Sequence, residues 1–289
     1  MTEPKTNTLE VPGAVLTYDV RTNGSGAKPV LVMIASPMGA AGFGTLSDYF
    51  TDRTVVTYDP RGAERSTLTD GAPESTPDVH ADDLHQLIAA LDAGSVDMFA
   101  SSGGATNALA LVARHPEQVL TLVAHEPPLA QLLPDREEAL AAIRDIAETY
   151  QRDGLGPGMA KFIAIVMHKG PVPADFSEQP VPDPAMFGLP TGDDGSRDDV
   201  LLGQNLITNT HYQPDFYALR AASTRIIVAA GAESDGEMAH RGAEATAGHL
   251  GMKVTTFPSD HGGFLGGEYG QTGDPEAFAG ALRKVLDHS

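Results

Sequence analysis

The chain has 289 residues, of which 41% are hydrophobic, and its 39 Asp+Glu against 19 Lys+Arg give a formal charge of −20. At roughly 150 residues per domain this is room for one large domain, or one domain with an insertion. The acidity argues against nucleic acid and against an anionic membrane surface, and the absence of Cys excludes disulfides, thiol catalysis and Cys–zinc sites.

Met1 to Glu10 is polar and lacks the apolar core of a signal peptide. No stretch approaches the ~20 apolar residues of a membrane span. These features predict a soluble, cytoplasmic globular protein; a homo-oligomer is compatible with them.

Thr8–Val11 and Val15–Val20 flank Pro12-Gly13 and predict a hairpin. A Gly/Ser/Lys loop, Asn23 to Lys28, follows. Gly24-Ser25-Gly26-Ala27-Lys28 is a plain loop rather than a phosphate cradle, because Pro29 stands where Ser or Thr belongs. The apolar runs Val30–Ile34 and Thr54–Tyr58 suit buried parallel strands. Asp78 to Leu91 predicts a helix, Val96–Ala100 a strand, Ala105 to Arg114 a helix ended by His115-Pro116, and Val119–Ala124 the sixth strand.

Beyond Pro127-Pro128 the alternation of strand and helix breaks. Arg136–Gln151, Met159–His168 and Asp198–Thr208 predict helices, with a Pro/Asp/Gly-rich loop from Gly170 to Arg197. Gly154-x-Gly156-x-Gly158 contains Pro157 and predicts a break between two helices. The strand pattern resumes at Arg225–Ala230, followed by a helix near Glu237–Leu250, a strand at Val254–Phe257 and a last helix at Pro275–Asp287. The expected architecture is α/β: a mostly parallel sheet with helices on both faces, and a helical insertion after the sixth strand. It divides into 1–128 with 224–289 as the core and 129–223 as the insertion.

Ala100-Ser101-Ser102-Gly103-Gly104 lies between a strand and a helix. Small residues two before and two after Ser102 are what a tight strand–turn–helix bend around a serine nucleophile requires. The competing reading is a helix N-terminus capped by Ser101 or Ser102. A serine hydroxyl needs a general base. His261, in Pro258-Ser259-Asp260-His261-Gly262, follows the last strand and is the candidate; His125, beside Glu126, is its strongest competitor. His80 and His85 are five apart on a helix and do not share a face, so no metal site is expected there.

An acid must orient the base. Glu126, after the sixth strand, is the first choice, Glu233 the second and Asp235 the third. The developing oxyanion needs preorganised N–H groups. Gly103 is expected to supply one and the loop Ala35–Met38 the other. Pro37 has no N–H, which leaves Ser36 ahead of Met38.

Asp59-Pro60-Arg61-Gly62-x-x-x-Ser66 after a strand, the bend at Ser102, Arg114-His115-Pro116-Glu117 and the late His261 together resemble the α/β-hydrolase superfamily, over about Thr8 to Asp287. The resemblance implies nucleophile, base and oxyanion roles for Ser102, His261 and Gly103 with Ser36, and makes residues 129–223 a cap. Ile34-Ala35 departs from the usual His-Gly of the oxyanion loop. Some members of the superfamily, including bacterial and fungal lactonases such as the zearalenone lactonase, instead use a Glu after the strand that precedes the usual acid position. Glu126 in His-Glu-Pro-Pro is similar to that pattern.

The function so implied is a cofactor-free and metal-free serine hydrolase acting on a small carboxylic ester or lactone. Met159, Phe162, Met167, Met186 and Phe187 are candidate pocket residues in the cap. The alternatives are a lyase or cofactor-free oxygenase on the same fold, or a catalytically silent small-molecule-binding protein.

Overall fold

The computed structural model describes residues 3–24, 26–71 and 75–287. Met1, Thr2 and Ser25, which belong to the polar N-terminus and the Gly/Ser/Lys loop, lie outside the described residues, as do 72–74 and the last two positions. In chain order the elements are β1 (Lys5–Val11), β2 (Ala14–Arg21), β3 (Leu31–Ile34), α1 (Gly44–Asp48), β4 (Val55–Asp59), β5 (Thr67–Leu68), α2 (Pro77–Leu91), β6 (Val96–Ser101), α3 (Gly103–Arg114) and β7 (Val119–His125). After them come α4 (Arg136–Asp153), α5 (Leu155–Val166), α6 (Leu206–Thr210), α7 (Phe216–Ala221), β8 (Arg225–Gly231), α8 (Met238–Leu250), β9 (Thr255–Phe257) and α9 (Pro275–Asp287).

The strands form one sheet in the order β1-β2-β4-β3-β6-β7-β8-β9, with β5 paired to β2. β2 is antiparallel to β1, β4 and β5, and the remaining pairs are parallel. The unbroken apolar runs follow from burial on both faces, since successive side chains point to opposite sides of a strand. Val32, Ile34, Met98 and Ala100 pack with Leu84, Leu87 and Leu109 of α2 and α3. Leu31, Met33 and Phe99 pack with Phe43, Leu46 and Phe278 on the α1 and α9 side.

Several boundaries differ from expectation. The insertion follows the seventh strand of the chain rather than the sixth, because the two-residue β5 intervenes, and nothing in so short a segment reads as a strand. The predicted break at 154–158 is only the single residue Gly154, at φ 90°; α5 begins at Leu155 and runs through Pro157, tolerated in a first turn. Gly156 and Gly158 are packing residues: a Cβ on Gly156 would lie 1.9 Å from the Pro190 carbonyl oxygen, and one on Gly158 2.8 Å from Tyr150. The helix predicted at Asp198–Thr208 is a π-helical stretch, Val200–Asn205, that hands over to α6. The short α1 and α7 carry too few periodic residues to be read in advance.

Between β7 and β8 the helical segment has its own apolar cluster, with Ile143, Ile146 and Tyr150 of α4 against Ile165 and Leu202. Met159 and Phe162 pack against that cluster, while Met167 and Met186 are 67% and 77% exposed. Several bonds tie the segment to the rest of the fold. Arg241 of α8 pairs with Asp135 and donates to the Gly170 carbonyl at 2.8 Å. Thr208 donates to the Ser75 carbonyl at 2.6 Å.

The motif after β4 is scaffold. Asp59 accepts from the Ala40 N–H at 2.8 Å and from Arg65 at 2.6 Å, and Ser66 donates to the Asp59 carbonyl at 2.7 Å. Arg61 forms a buried fork with Asp83 of α2, Nε to Oδ2 at 2.7 Å and Nη2 to Oδ1 at 2.5 Å. Removing one partner of such a pair strands a buried charge. Asp83→Ala is therefore expected to lose roughly 3–5 kcal/mol in urea denaturation, most of it recovered in the Asp83→Ala, Arg61→Met double variant. An unaltered midpoint in the single variant would contradict this account of the motif.

Candidate active site

Ser102 sits between the end of β6 and the start of α3 with φ 56° and ψ −130°, a conformation that a non-glycine residue holds only under constraint. Backbone bonds on both sides of the residue hold it there. The Ser102 N–H donates to the His125 carbonyl at 2.9 Å, and the Ser102 carbonyl accepts from Ala105 N–H at 2.9 Å. The glycines that follow allow the loop after β3 to close on the bend. A Cβ on Gly103 would stand 2.7 Å from the Ser36 carbonyl oxygen, and one on Gly104 2.5 Å from Ala35 Cα. The first N–H groups of α3 have no partner within the helix. The Gly103 N–H is among them, and Ser36 lies across a narrow gap from the Gly103 α-carbon.

His261 lies on the loop after β9, and its Nδ1 is 2.5 Å from Glu126 Oε2. Glu126 is fully buried. It directly follows β7 with φ 49°, a left-handed turn made at a non-glycine residue, and its N–H donates to the Ala229 carbonyl at 3.0 Å. Its other oxygen, Oε1, accepts the Gly231 N–H at 2.8 Å and the Ser234 hydroxyl. Burial opposes the charge on Glu126, but the bond and charge of His261 outweigh it and hold the carboxyl at about 2. Burial likewise opposes the charge on His261, and Glu126 overrides it, so the imidazole titrates above its ordinary 6.5.

The other two candidate acids have different partners. Glu233 is exposed, with its N–H on the Ser259 carbonyl and its own carbonyl accepting from Lys169. Asp235 is exposed, its carboxylate 3.8 Å from His240 Nε2. His125 is fully buried among Phe99, Phe257 and Phe278, with its Nδ1 3.1 Å from Ser101 Oγ. Burial pushes its pKa down to about 4, so it is a neutral ring in the floor, 5.9 Å between centroids from His261. His80 is buried on Asn205, and among the described residues no group of three or more His, Asp or Glu is placed to hold a metal ion. No helix of the described residues is long and apolar enough to cross a membrane.

Ser234 and His240 were not found from the sequence. Neither has a motif around it, and Ser234 stands between the two acids, Glu233 and Asp235, that draw attention there. The left-handed turn at Glu126 also has no sequence signature, beyond the Pro127 that follows it.

A raised folded-state pKa means that the charged His261 contributes stability below its unfolded value near 6.5, a contribution lost as pH rises through the folded value. In Glu126→Gln the burial remains and the attraction goes. The His261 titration followed by NMR is expected to fall below that of the unsubstituted protein; an unmoved midpoint would break the assigned pairing.

Residues 41–200 match the family described as alpha/beta hydrolase fold. A relative in Bacillus subtilis (strain 168), the uncharacterized hydrolase YraK, is 30% identical over 265 residues, 89% of this chain and 89% of that protein. Among solved structures, a thermophilic esterase from Thermogutta terrifontis superposes with a TM-score of 0.65 at 19% identity, covering 99% of this chain and 98% of that one. A proline iminopeptidase from Mycobacterium smegmatis gives 0.62 at 17% identity, over 98% of this chain and 97% of that one. At these identities the two structures speak for the fold alone.

Proposed function

The chain belongs to the alpha/beta hydrolase family, and from that premise we propose that it is a serine hydrolase cleaving a carboxylic ester or lactone of a small organic molecule. The observation that carries the reading is the bond from Glu126 to His261 Nδ1 on the same sheet edge as the strained Ser102. With Nδ1 engaged, Nε2 is the nitrogen left to serve the serine.

In this mechanism Ser102 Oγ adds to the substrate carbonyl and its proton passes to His261 Nε2. The carbonyl oxygen becomes an oxyanion and takes N–H bonds from Gly103 and Ser36. Collapse breaks the C–O bond to the alcohol, which leaves with the proton from Nε2. Water then adds to the acyl-enzyme, giving its proton to Nε2, and the second collapse returns that proton to Ser102 as the acid departs. Glu126 keeps the imidazole in the Nδ1–H tautomer and stabilises its cation; it does not itself take the proton. The segment 129–223 acts as the cap that shapes the substrate space. Met159 and Phe162 pack against its core, and Met167, Met186 and Phe187 are exposed on its surface, so none of the apolar residues first considered is assigned to the pocket.

The thermophilic esterase among the structural relatives makes ester cleavage the first chemistry to assay. Stoichiometric labelling by a fluorophosphonate and turnover of p-nitrophenyl butyrate are expected, both lost in Ser102→Ala, with labelling retained in Ser101→Ala. A lyase or a binding protein built on this cleft would show no acyl-enzyme and almost no turnover.

Glu126→Gln is expected to lower kcat by about 10^3-fold to 10^4-fold, while Glu233→Gln changes it little; the opposite ranking would move the acid's role to Glu233. Because His261 must be neutral to act as a base and its pKa is raised, kcat/KM is expected to fall on the acid side with a midpoint above 6.5. A midpoint at or below that value would contradict the assignment.

A further inference from the structure

The Glu126 carboxylate has two oxygens with separate duties, and the mechanism above uses only Oε2. Oε1 faces the loop after β8, where Ser234 is fully buried. A hydroxyl has a single hydrogen to give. Two acceptors lie in reach of Ser234 Oγ: Glu126 Oε1, at the shorter distance, and the Gly231 carbonyl at 3.1 Å. The charged and nearer carboxylate takes it.

His240, on the first turn of α8, stands behind the serine. Its Nδ1 is 3.1 Å from the Gly231 carbonyl oxygen and 3.4 Å from Ser234 Oγ. A carbonyl can only accept, so Nδ1 carries the hydrogen, shared between that carbonyl and the serine oxygen. The same residue, Gly231, turns its N–H to Oε1 at 2.8 Å. The donors run in one direction: His240 N–H to Ser234 O–H to Glu126, whose other oxygen holds His261. Hydrogen bonds aligned in series polarise one another.

We propose that Ser234 and His240 are positioning residues for the reaction, a relay that fixes the orientation of the Glu126 carboxylate and draws part of its charge away from His261. This rests on the serine-hydrolase reading. It assigns no contact with substrate to either residue.

The test is steady-state kinetics on a p-nitrophenyl ester across pH, with folding checked by circular dichroism. In Ser234→Ala the carboxylate loses a donor and a restraint. We expect kcat to drop roughly 10-fold to 100-fold, the scale of a small misplacement in a site, with KM nearly unchanged. More negative charge then faces His261, so the acid limb of kcat/KM moves to higher pH; the other groups near that ring, His125, Glu237 and Asp260, are untouched. Ser234→Thr, which keeps the hydroxyl, restores both. His240→Phe keeps the ring's bulk and removes its N–H, and is expected to shift the limb in the same direction by less. It decides the matter if Ser234→Ala does not fold.

A merely structural role would lower the melting temperature and leave kcat per folded molecule and the acid limb in place; that result overturns the proposal. If the unsubstituted protein takes no fluorophosphonate label, the serine-hydrolase reading fails. If it labels and the Ser234 and His240 variants keep its kcat and acid limb, this inference alone fails.

Discussion

A carboxylate with no solvent access must be paid in hydrogen bonds, and the active region is organised around meeting that demand at Glu126. One oxygen is held by His261 and the other by the Gly231 N–H and Ser234. The donors come from the last residue of β8 and from the loops after β8 and β9. β7 and β8 are parallel and in register from Thr121↔Arg225 to His125↔Ala229, so Glu126 emerges level with the last residues of β8. The left-handed turn at Glu126 then swings the carboxylate across the end of β8 rather than into solvent. Register, turn and burial are one constraint: a slip by one residue would send the acid to the other face.

Ser102 obeys a second constraint of the same kind, set by closeness of backbones rather than by charge. α3 starts so near the loop after β3 that neither Gly103 nor Gly104 has space for a Cβ. The positive φ of Ser102 is the geometric result of leaving a strand and entering a helix within one residue while that loop presses on the bend. The phenylalanine-lined floor with His125 supports the opposite side, beneath His261.

The strands and long helices were legible because burial on both sheet faces leaves unbroken apolar runs and because α2, α3 and α9 carry a helical period. The bend at Ser102 was legible because close approach admits few residue types. The place of His261 was legible because its motif follows the last strand. The choice among Glu126, Glu233 and Asp235 was not settled by pattern, since all three follow strands and only the direction of each side chain separates them. Ser234 was invisible for a related reason: a serine in a loop has a use only through what the fold sets beside it. Val200–Asn205 was read as helix, but its π-helical form was not, because that spacing departs from the period by which helices are recognised.

α8 carries successive residues with different attachments. His240 reaches inward to the Gly231 carbonyl, Arg241 grips Asp135 and the Gly170 carbonyl in the helical segment, and Gly242 leaves its Cβ position to the Pro127 carbonyl oxygen, which would lie 2.3 Å away. One helical turn thus holds three partners at once: the end of β8, the helical segment and the chain that follows Glu126. Their spacing is set by the pitch of a single turn, so none of the three can be re-spaced independently of the others.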